Sequence, residues 1–327
     1  MKKILVTGGA GFIGSHLVKY LLSNYPKYII VNIDNLTYAS NYEFIKDLEG
    51  NSNYTFYKLD INETDKINSL FQKYNIDTVI NLAAESHVDN SIIKPGIFAR
   101  TNILGTINLL NIATKAWSGL NNRKNIFYQI STDEVYGSLG IEGSFTEKTS
   151  YSPRSPYSAS KASADHFVYA YSHTYDLPIL LSNCSNNFGP NQHEEKLIPK
   201  VVSCLINKSK IPVYGNGLNI RDWLFVEDHI RAIDLILHNG KNGESYNIGG
   251  GNELSNLELV KHIIRIFHSN KEILDFNEYI DFVDDRKGHD FRYSIDFSKL
   301  NRDLGWTPEA DFFTSLQKTI NWYRNNK

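Results

Sequence analysis

Cysteine is nearly absent: Cys184 and Cys204 are the only two in 327 residues. That excludes a disulfide framework, and with no C-x-x-C or Cys/His cluster no metal site is expected. Both thiols read as small core residues. Long hydrophobic runs are also missing, and none approaches the roughly 18–20 apolar residues of a membrane-spanning helix. The start, MKKILVTGG, places only the short run Ile4 to Thr7 between its lysines and Gly8. A secretion signal needs an apolar core of roughly 7–15 residues, so a cytosolic protein is expected. Charge of one sign is not in excess either, with 34 basic against 36 acidic residues and a formal net charge of −2. Without a block of like charge, nothing draws the chain to nucleic acid or to an anionic membrane. Repeats, low-complexity tracts and flexible linkers are absent as well.

What is present is an ordinary globular composition, 41% hydrophobic and 21% charged, in a chain long enough for two lobes. The runs KILVTG, YIIVNID, YTFYKLD, TVINLAA, NIFYQIS and LPILLSN alternate with segments whose apolar residues fall at helical spacing. Strands that are apolar throughout suit a parallel sheet covered on both faces. The expected fold class is therefore α/β, a Rossmann-like doubly wound parallel sheet with a smaller, interleaved C-terminal lobe that binds substrate. After about residue 185 glycines, prolines and short elements break the rhythm. Residues 1–185 are expected to form the first domain, with 226–250 returning to it, and 186–225 and 251–327 the smaller lobe.

VTGGAGFIGSHL sets Gly8, Gly11 and Gly14 between the first strand and the first helix. Glycine there permits the tight turn, lets backbone approach a pyrophosphate and packs helix close to strand. The helix N-terminus then offers free N–H groups to the phosphates. Asp34 follows Gly14 by 20 residues at the end of the second strand. An acid at that spacing accepts from the adenosine ribose hydroxyls and repels a 2′-phosphate, favouring NAD over NADP. Asp60 and Ile61 end the third strand where they could flank the adenine, although a strand-end Asp by itself is usually a cap.

YSASK puts Tyr157 and Lys161 one turn apart on a helix. An ammonium beside the phenol is expected to lower its pKa, readying it to take an alcohol proton as hydride leaves. The pattern alone is weak, since Tyr42/Lys46 and Tyr54/Lys58 also match it. Tyr157/Lys161 is selected by position, downstream of the strand tip Ser131-Thr132 and just inside a helix marked by Pro156. That same tip continues into Asp133 and Glu134, in NIFYQISTDEVYG. Two neighbouring carboxylates at the end of a buried strand cannot both ionise freely, so one is expected to keep its proton. Such a pair supplies one acid and one base.

TGGAGFIG, Asp34, NLAAESHVDNS, the Ser/Thr strand tip and the Tyr157/Lys161 pair, in that order, resemble the extended short-chain dehydrogenase/reductase superfamily, essentially end to end. STDEVYG with YSASKASADH, NCSNNFGP, EKLIPKVV, PVYGNG, IRDWLFVEDH and GHDFRYSID is similar to its nucleotide-sugar 4,6-dehydratases. The resemblance implies NAD held by Gly8, Gly11, Phe12, Ile13, Gly14, Asp34, Asn35, Leu36, Thr37, Asp60, Ile61, Leu82, Ala83, Ala84, Ser86, Thr101, Tyr157, Lys161 and Asn187. It implies a nucleotide sugar, with dTDP-glucose expected, held by Ser86, Thr132, Asn186, Lys196, Leu197, Pro212, Val213, Tyr214, Arg221, Asn256, Arg286 and His289. Tyr157 would deprotonate the 4-hydroxyl with support from Thr132 and Lys161. Glu134 would take the carbon-5 proton, Asp133 would protonate the departing 6-hydroxyl, and the hydride taken from carbon 4 would return at carbon 6. A homodimer built on the helices near 97–117 and 156–175 is implied too.

The sequence departs from the family's pattern at Asn90, at His193-Glu194 and at Lys287, away from the proposed chemistry but around the nucleotide lobe. That leaves the nucleotide base open. Rival readings are a dehydratase of another NDP-hexose, a UDP-sugar 4-epimerase, which would not need the Asp133-Glu134 pair, and an NAD-binding regulatory protein of the same fold.

Overall fold

The computed structural model describes residues 1–119, 125–269 and 275–326. The first half alternates β1 (Lys3–Thr7), α1 (Phe12–Asn24), β2 (Ile29–Asp34), β3 (Tyr54–Lys58), α2 (Thr64–Tyr74) and β4 (Thr78–Asn81). It continues with the short α3 (Val88–Ile93) and α4 (Pro95–Phe98), then α5 (Gly105–Trp117), β5 (Ile126–Thr132), α6 (Pro156–Tyr175) and β6 (Ile179–Cys184). The remainder holds β7 (Asn186–Phe188), α7 (Leu197–Ile206), β8 (Ile211–Tyr214), β9 (Ile220–Phe225), α8 (Val226–Asn239), β10 (Ser245–Ile248), β11 (Glu253–Ser255) and α9 (Asn256–Phe267). β12 (Ile280–Val283), α10 (Ser298–Leu304) and α11 (Phe312–Asn326) complete it.

Seven strands form one parallel sheet in the order β10-β6-β5-β4-β1-β2-β3. The doubly wound parallel sheet inferred from the apolar runs is therefore present. Along β1 the side chains alternate between two cores: Ile4 and Val6 join one, Leu5 the other. The first core continues from α1 and α8 into α7, α9 and α11, while the second packs α2, α5 and α6 on the opposite face. Strand order reverses where β1 lies between β2 and β4, which opens a crevice at the carboxyl ends of those strands. The later elements build a three-stranded sheet, β11-β9-β7, and a two-stranded one, β12-β8.

Two local features set the site. The helical pattern near 97–117 is one continuous run only with a π-helical stretch at Ala99–Leu104 between α4 and α5. Such a stretch inserts an extra residue per turn and re-aims side chains; here it carries Arg100 and Thr101. Helix α6 begins with a capping box, Ser155 and Ser158 bonding each other's backbone N–H, and with Pro156 in its first turn. That start fixes where Tyr157 emerges.

Candidate active site

Gly8 has φ +72°, and a Cβ there would lie 2.7 Å from the Ala83 nitrogen. A Cβ on Gly14 would lie 2.3 Å from the Gly8 oxygen, so only glycine lets α1 sit this close to the loop. Gly9 is as constrained, against the Asn32 side chain, and the three-glycine pattern had not marked it. Helix α1 has no side-chain cap and no acidic residue in its first turn, leaving its N–H groups open to an anion. Asp34 accepts from Leu36 N and Ser40 Oγ at 2.8 Å and from Ala10 N at 3.0 Å. The acid thus ties down the glycine loop as well as facing the crevice. Asp60 accepts from Asn62 N at 2.8 Å, the cap geometry a strand-end Asp favours.

A cleft of about 590 Å³ runs from this loop to the strand tips. Gly8, Gly11, Phe12, Ile13, Gly14, Asp34, Asn35, Thr37, Asp60 and Ile61 line one end. Leu82, Ala83, Ala84, Ser86 and Thr101 line its middle, and Thr132, Asp133, Glu134, Tyr157, Lys161, Asn186, Asn187 and Lys196 the other end. Leu36 is not among the lining residues; it adopts φ +54° and gives its N–H to Asp34. Glu85, Arg100, Gln192, His193 and Glu195 also line the cleft without having been singled out as ligand contacts. Glu85 and Glu195 sit inside the quoted runs NLAAESHVDNS and EKLIPKVV or beside them, but nothing in their spacing distinguished them from surface acids. Burial and the Glu195 charge push the Glu85 carboxyl above the usual carboxylate range.

Thr132 caps a 3₁₀ turn, Asp133–Tyr136, by accepting from Glu134 N at 3.3 Å. The turn swings the two acids into the cleft. Asp133 is 2% exposed, and its Oδ2 has no hydrogen-bond partner among the described residues. Burial first, then Glu134 and Asp222, push its carboxyl well above the ordinary value. Burial raises Glu134 too, but Lys196, Arg221 and Arg286 oppose the rise. The pair is therefore split, Asp133 holding its proton and Glu134 the more readily ionised.

One expectation is corrected. The Tyr157 phenol is not lowered: burial, Glu134, Cys184 and Asp133 raise it well above its ordinary value, with only a Thr132 hydrogen bond opposing them. Burial is the largest cause, and Lys161 is not among the groups that oppose it; its Nζ donates to the Ile130 carbonyl at 2.7 Å. Burial lowers the ammonium's own pKa. The two rival Tyr/Lys pairs fall elsewhere: Tyr42 is bonded to Glu49 at the surface, and Tyr54/Lys58 lies on β3.

Leu197, Pro212, Val213, Tyr214, Arg221, Asn256, Arg286 and His289 do not line the cleft. Arg221 is buried over the Tyr293 ring at 4.3 Å and donates to the Ile220 and Asp290 carbonyls at 2.7 and 3.0 Å. Arg286 pairs with Asp89, and His289 with Asp285 at 2.7 Å. Tyr214 stands beside both, its ring edge-on to His289 and 5.3 Å below the Arg286 guanidinium. Pro212 and Val213 belong to β8, and Leu197 and Asn256 open α7 and α9. Asn187 lines the cleft, but its amide donates to Ser185 O at 2.9 Å and meets His229 Nδ1 at 2.8 Å.

The residues present fit a dinucleotide. The glycine cradle admits no Cβ at Gly8 or Gly14, the α1 amides are open, and cleft atoms Asn186 Oδ1, Gln192 Oε1 and Glu195 Oε1 have no hydrogen-bond partner among the described residues. The sequence profile of the GDP-mannose 4,6 dehydratase family matches residues 5–319. A dTDP-glucose 4,6-dehydratase of Escherichia coli is 50% identical over 99% of this chain and 94% of its own. That of Neisseria gonorrhoeae is 49% identical over 100% and 96%. The dTDP-glucose 4,6-dehydratase of Streptomyces venezuelae, solved with NAD bound, is 41% identical, covers 99% and 97% of the two chains, and superposes with a TM-score of 0.92. With matches of this extent over the whole length, the chain belongs to the dTDP-glucose 4,6-dehydratase family of the extended short-chain dehydrogenase/reductases.

Proposed function

We propose that this protein converts dTDP-glucose to dTDP-4-keto-6-deoxyglucose and water, with NAD as a recycled cofactor. The observation that carries the reading is the split acid pair, Asp133 and Glu134, beside Tyr157 in one cleft. An epimerase that only removes and replaces a hydride at one carbon has no use for it. NAD would be held by the glycine loop, Asp34, Asn35, Thr37, Lys161 and Asn187, and when bound it supplies a hydride acceptor and, oxidised, a positive charge at the nicotinamide.

This chain's own groups move the protons. Tyr157 would take the 4-hydroxyl proton as a phenolate, with the Thr132 hydroxyl bonding it; burial and the two acids oppose that form in the ligand-free cleft, and the positive charge of oxidised NAD would favour it. A ketone at carbon 4 acidifies the proton on carbon 5, which the Glu134 carboxylate takes. Asp133, kept protonated by burial and by Glu134, gives its proton to the 6-hydroxyl so that it leaves as water. Ser86, Asn186 and Lys196 would position the hexose. Arg221 and Arg286 would face the diphosphate, with Tyr214, Asn256 and His289 around the nucleoside. Residues 1–185 and 226–250 would then serve NAD, and 186–225 and 251–327 the nucleotide sugar.

A C₂ homodimer is supported by Ile97, Leu104 and Phe167, which are 46%, 56% and 39% exposed along the adjoining 95–117 and α6 helices. No helix among the described residues is long and apolar enough to cross a membrane, in keeping with a cytosolic place of work. Incubating the purified protein with dTDP-glucose and following the sugar by ¹H NMR tests the function. A new carbon-6 methyl doublet is expected; unchanged glucose, or a galactose product, would overturn it.

A further inference from the structure

Behind the cleft lies a charged group that the chemistry above leaves unused. Asp165 is fully buried on α6, one turn beyond Lys161 and two beyond Tyr157. Its Oδ2 accepts from Ser131 Oγ at 2.5 Å and from Tyr151 OH at 3.2 Å. Its Oδ1 has no hydrogen-bond partner among the described residues. A carboxylate with this little compensation is costly to bury unless it answers another charge. The buried cation one turn before it on the same helix is Lys161, whose one hydrogen bond among the described residues is to the Ile130 carbonyl. A fully buried ammonium with no counter-charge sheds its proton.

We propose that Asp165 is a positioning residue: it supplies the buried counter-charge that keeps Lys161 protonated, and through Ser131 it ties that charge to the strand carrying Thr132, Asp133 and Glu134. Ser131 lies between Ile130, which receives Lys161, and Thr132, which bonds the phenol. One carboxylate thus holds the helix and the strand tip in a single register. The proposal rests on the reading above only in taking Lys161 as part of the site.

The groups facing this pair come from every neighbouring element. Asp165 meets Lys161 from its own helix, Ser131 from β5, Tyr151 from the loop before α6, and Asn183 from β6. Tyr136 and Tyr169 stand next to Tyr151. Lys161 meets, besides Asp165, the Cys184 thiol, which burial pushes up to about 12 and so keeps neutral. Among the described residues, Asp165 is the one carboxylate acting on Lys161. Burial holds its own pKa up at about 6 even against Lys161, the Ser131 and Tyr151 hydroxyls and the Asn183 amide. The counter-charge is therefore present above that pH and fades below it.

The test reads Lys161 directly in the purified, ligand-free protein by NMR of lysine labelled with ¹³C at Cε, its signal identified by loss in Lys161→Arg. In Asp165→Asn, Lys161 is expected to titrate at least about one pH unit lower than in the wild type. Tyr151→Phe, which removes one hydrogen bond and no charge, is expected to leave it in place. An unchanged Lys161 titration in Asp165→Asn overturns the proposal. If that variant does not fold, the wild type decides: a second inflection of the Lys161 signal near pH 6 supports the coupling, and its absence overturns it. The NMR arm requires no product, so its failure is distinguishable from failure of the dehydratase reading.

Discussion

Arg286 reaches across 197 residues of sequence to meet Asp89, with Nη2 donating to Oδ2 at 3.0 Å and Nε 2.6 Å from Oδ1. The pair links the 279–291 segment of the smaller lobe to α3, beside the first sheet. Asp89 also accepts from Tyr214 OH at 3.3 Å, so three side chains gather where the nucleotide diphosphate is proposed to lie. Asp89 is the partner Arg286 would share with, or exchange for, a diphosphate. Arg286→Lys keeps the charge and loses the planar fork. Its expected effect is a KM for dTDP-glucose raised by roughly tenfold, about one such bond's worth, with kcat less affected. Steady-state kinetics check it, and an equal fall in kcat at unchanged KM would place Arg286 elsewhere in the mechanism.

The double variant Asp133→Asn with Glu134→Gln keeps Tyr157 and loses both elimination groups. It is expected to oxidise carbon 4 but to form the deoxy-sugar about 10²–10⁴-fold more slowly. Single-turnover absorbance at 340 nm against NMR of the sugar separates the two events. Wild-type rates of product formation would refute the assigned roles.

The same acids set the pH response. Glu134 works ionised and has a raised pKa, so activity falls as pH drops through a value above the usual carboxylate range. Asp133 works protonated, and its pKa is raised further, so activity also falls as pH rises through that value. A bell-shaped kcat profile is expected, with an acid limb that Glu134→Gln abolishes along with most of the rate.

Asp133 also costs stability. Its folded pKa lies above its unfolded one, so its contribution is most favourable below the unfolded value and is lost as pH rises through the folded value. Asp133→Asn removes the cost, at neutral pH, of protonating on folding a carboxyl that is ionised in the unfolded chain. Its melting temperature is expected to exceed the wild type's by roughly 2–4 °C at pH 7, with little difference near pH 4. Thermal denaturation at the two pH values decides, and a lower melting temperature at pH 7 would contradict the burial argument.

Leu104→Glu tests the proposed dimer, because a charge at the centre of an apolar interface is left unpaired. Sedimentation is expected to show a shift toward monomer. A wild-type profile would move the interface to another face.

Much of this was legible in the sequence because the relevant signals are local. Gly8, Gly11 and Gly14 sit at a strand-to-helix turn that has no room for a Cβ at Gly8 or Gly14, and the apolar runs of a two-faced parallel sheet are unlike alternating strands. Asp133 and Glu134 stood out because an acid at the end of a buried strand is costly. What was not legible depends on which way a side chain turns. Lys161 is four residues from Tyr157, yet its ammonium goes to the Ile130 carbonyl, so the spacing alone gave the wrong sign for the phenol's shift. Glu85 and Glu195 come together from segments 110 residues apart, a relationship no window of sequence contains. The π-helical stretch at 99–104 is hidden for a similar reason, since its apolar spacing reads as ordinary helix.

The most direct measurement of the central claim uses dTDP-glucose deuterated at carbon 4, with the product examined by NMR. The account predicts deuterium in the new methyl group at carbon 6, because what is removed at one carbon is returned two carbons away within the closed cleft. Deuterium washed into solvent, or kept at carbon 4 of a hexose that has lost no water, would contradict it.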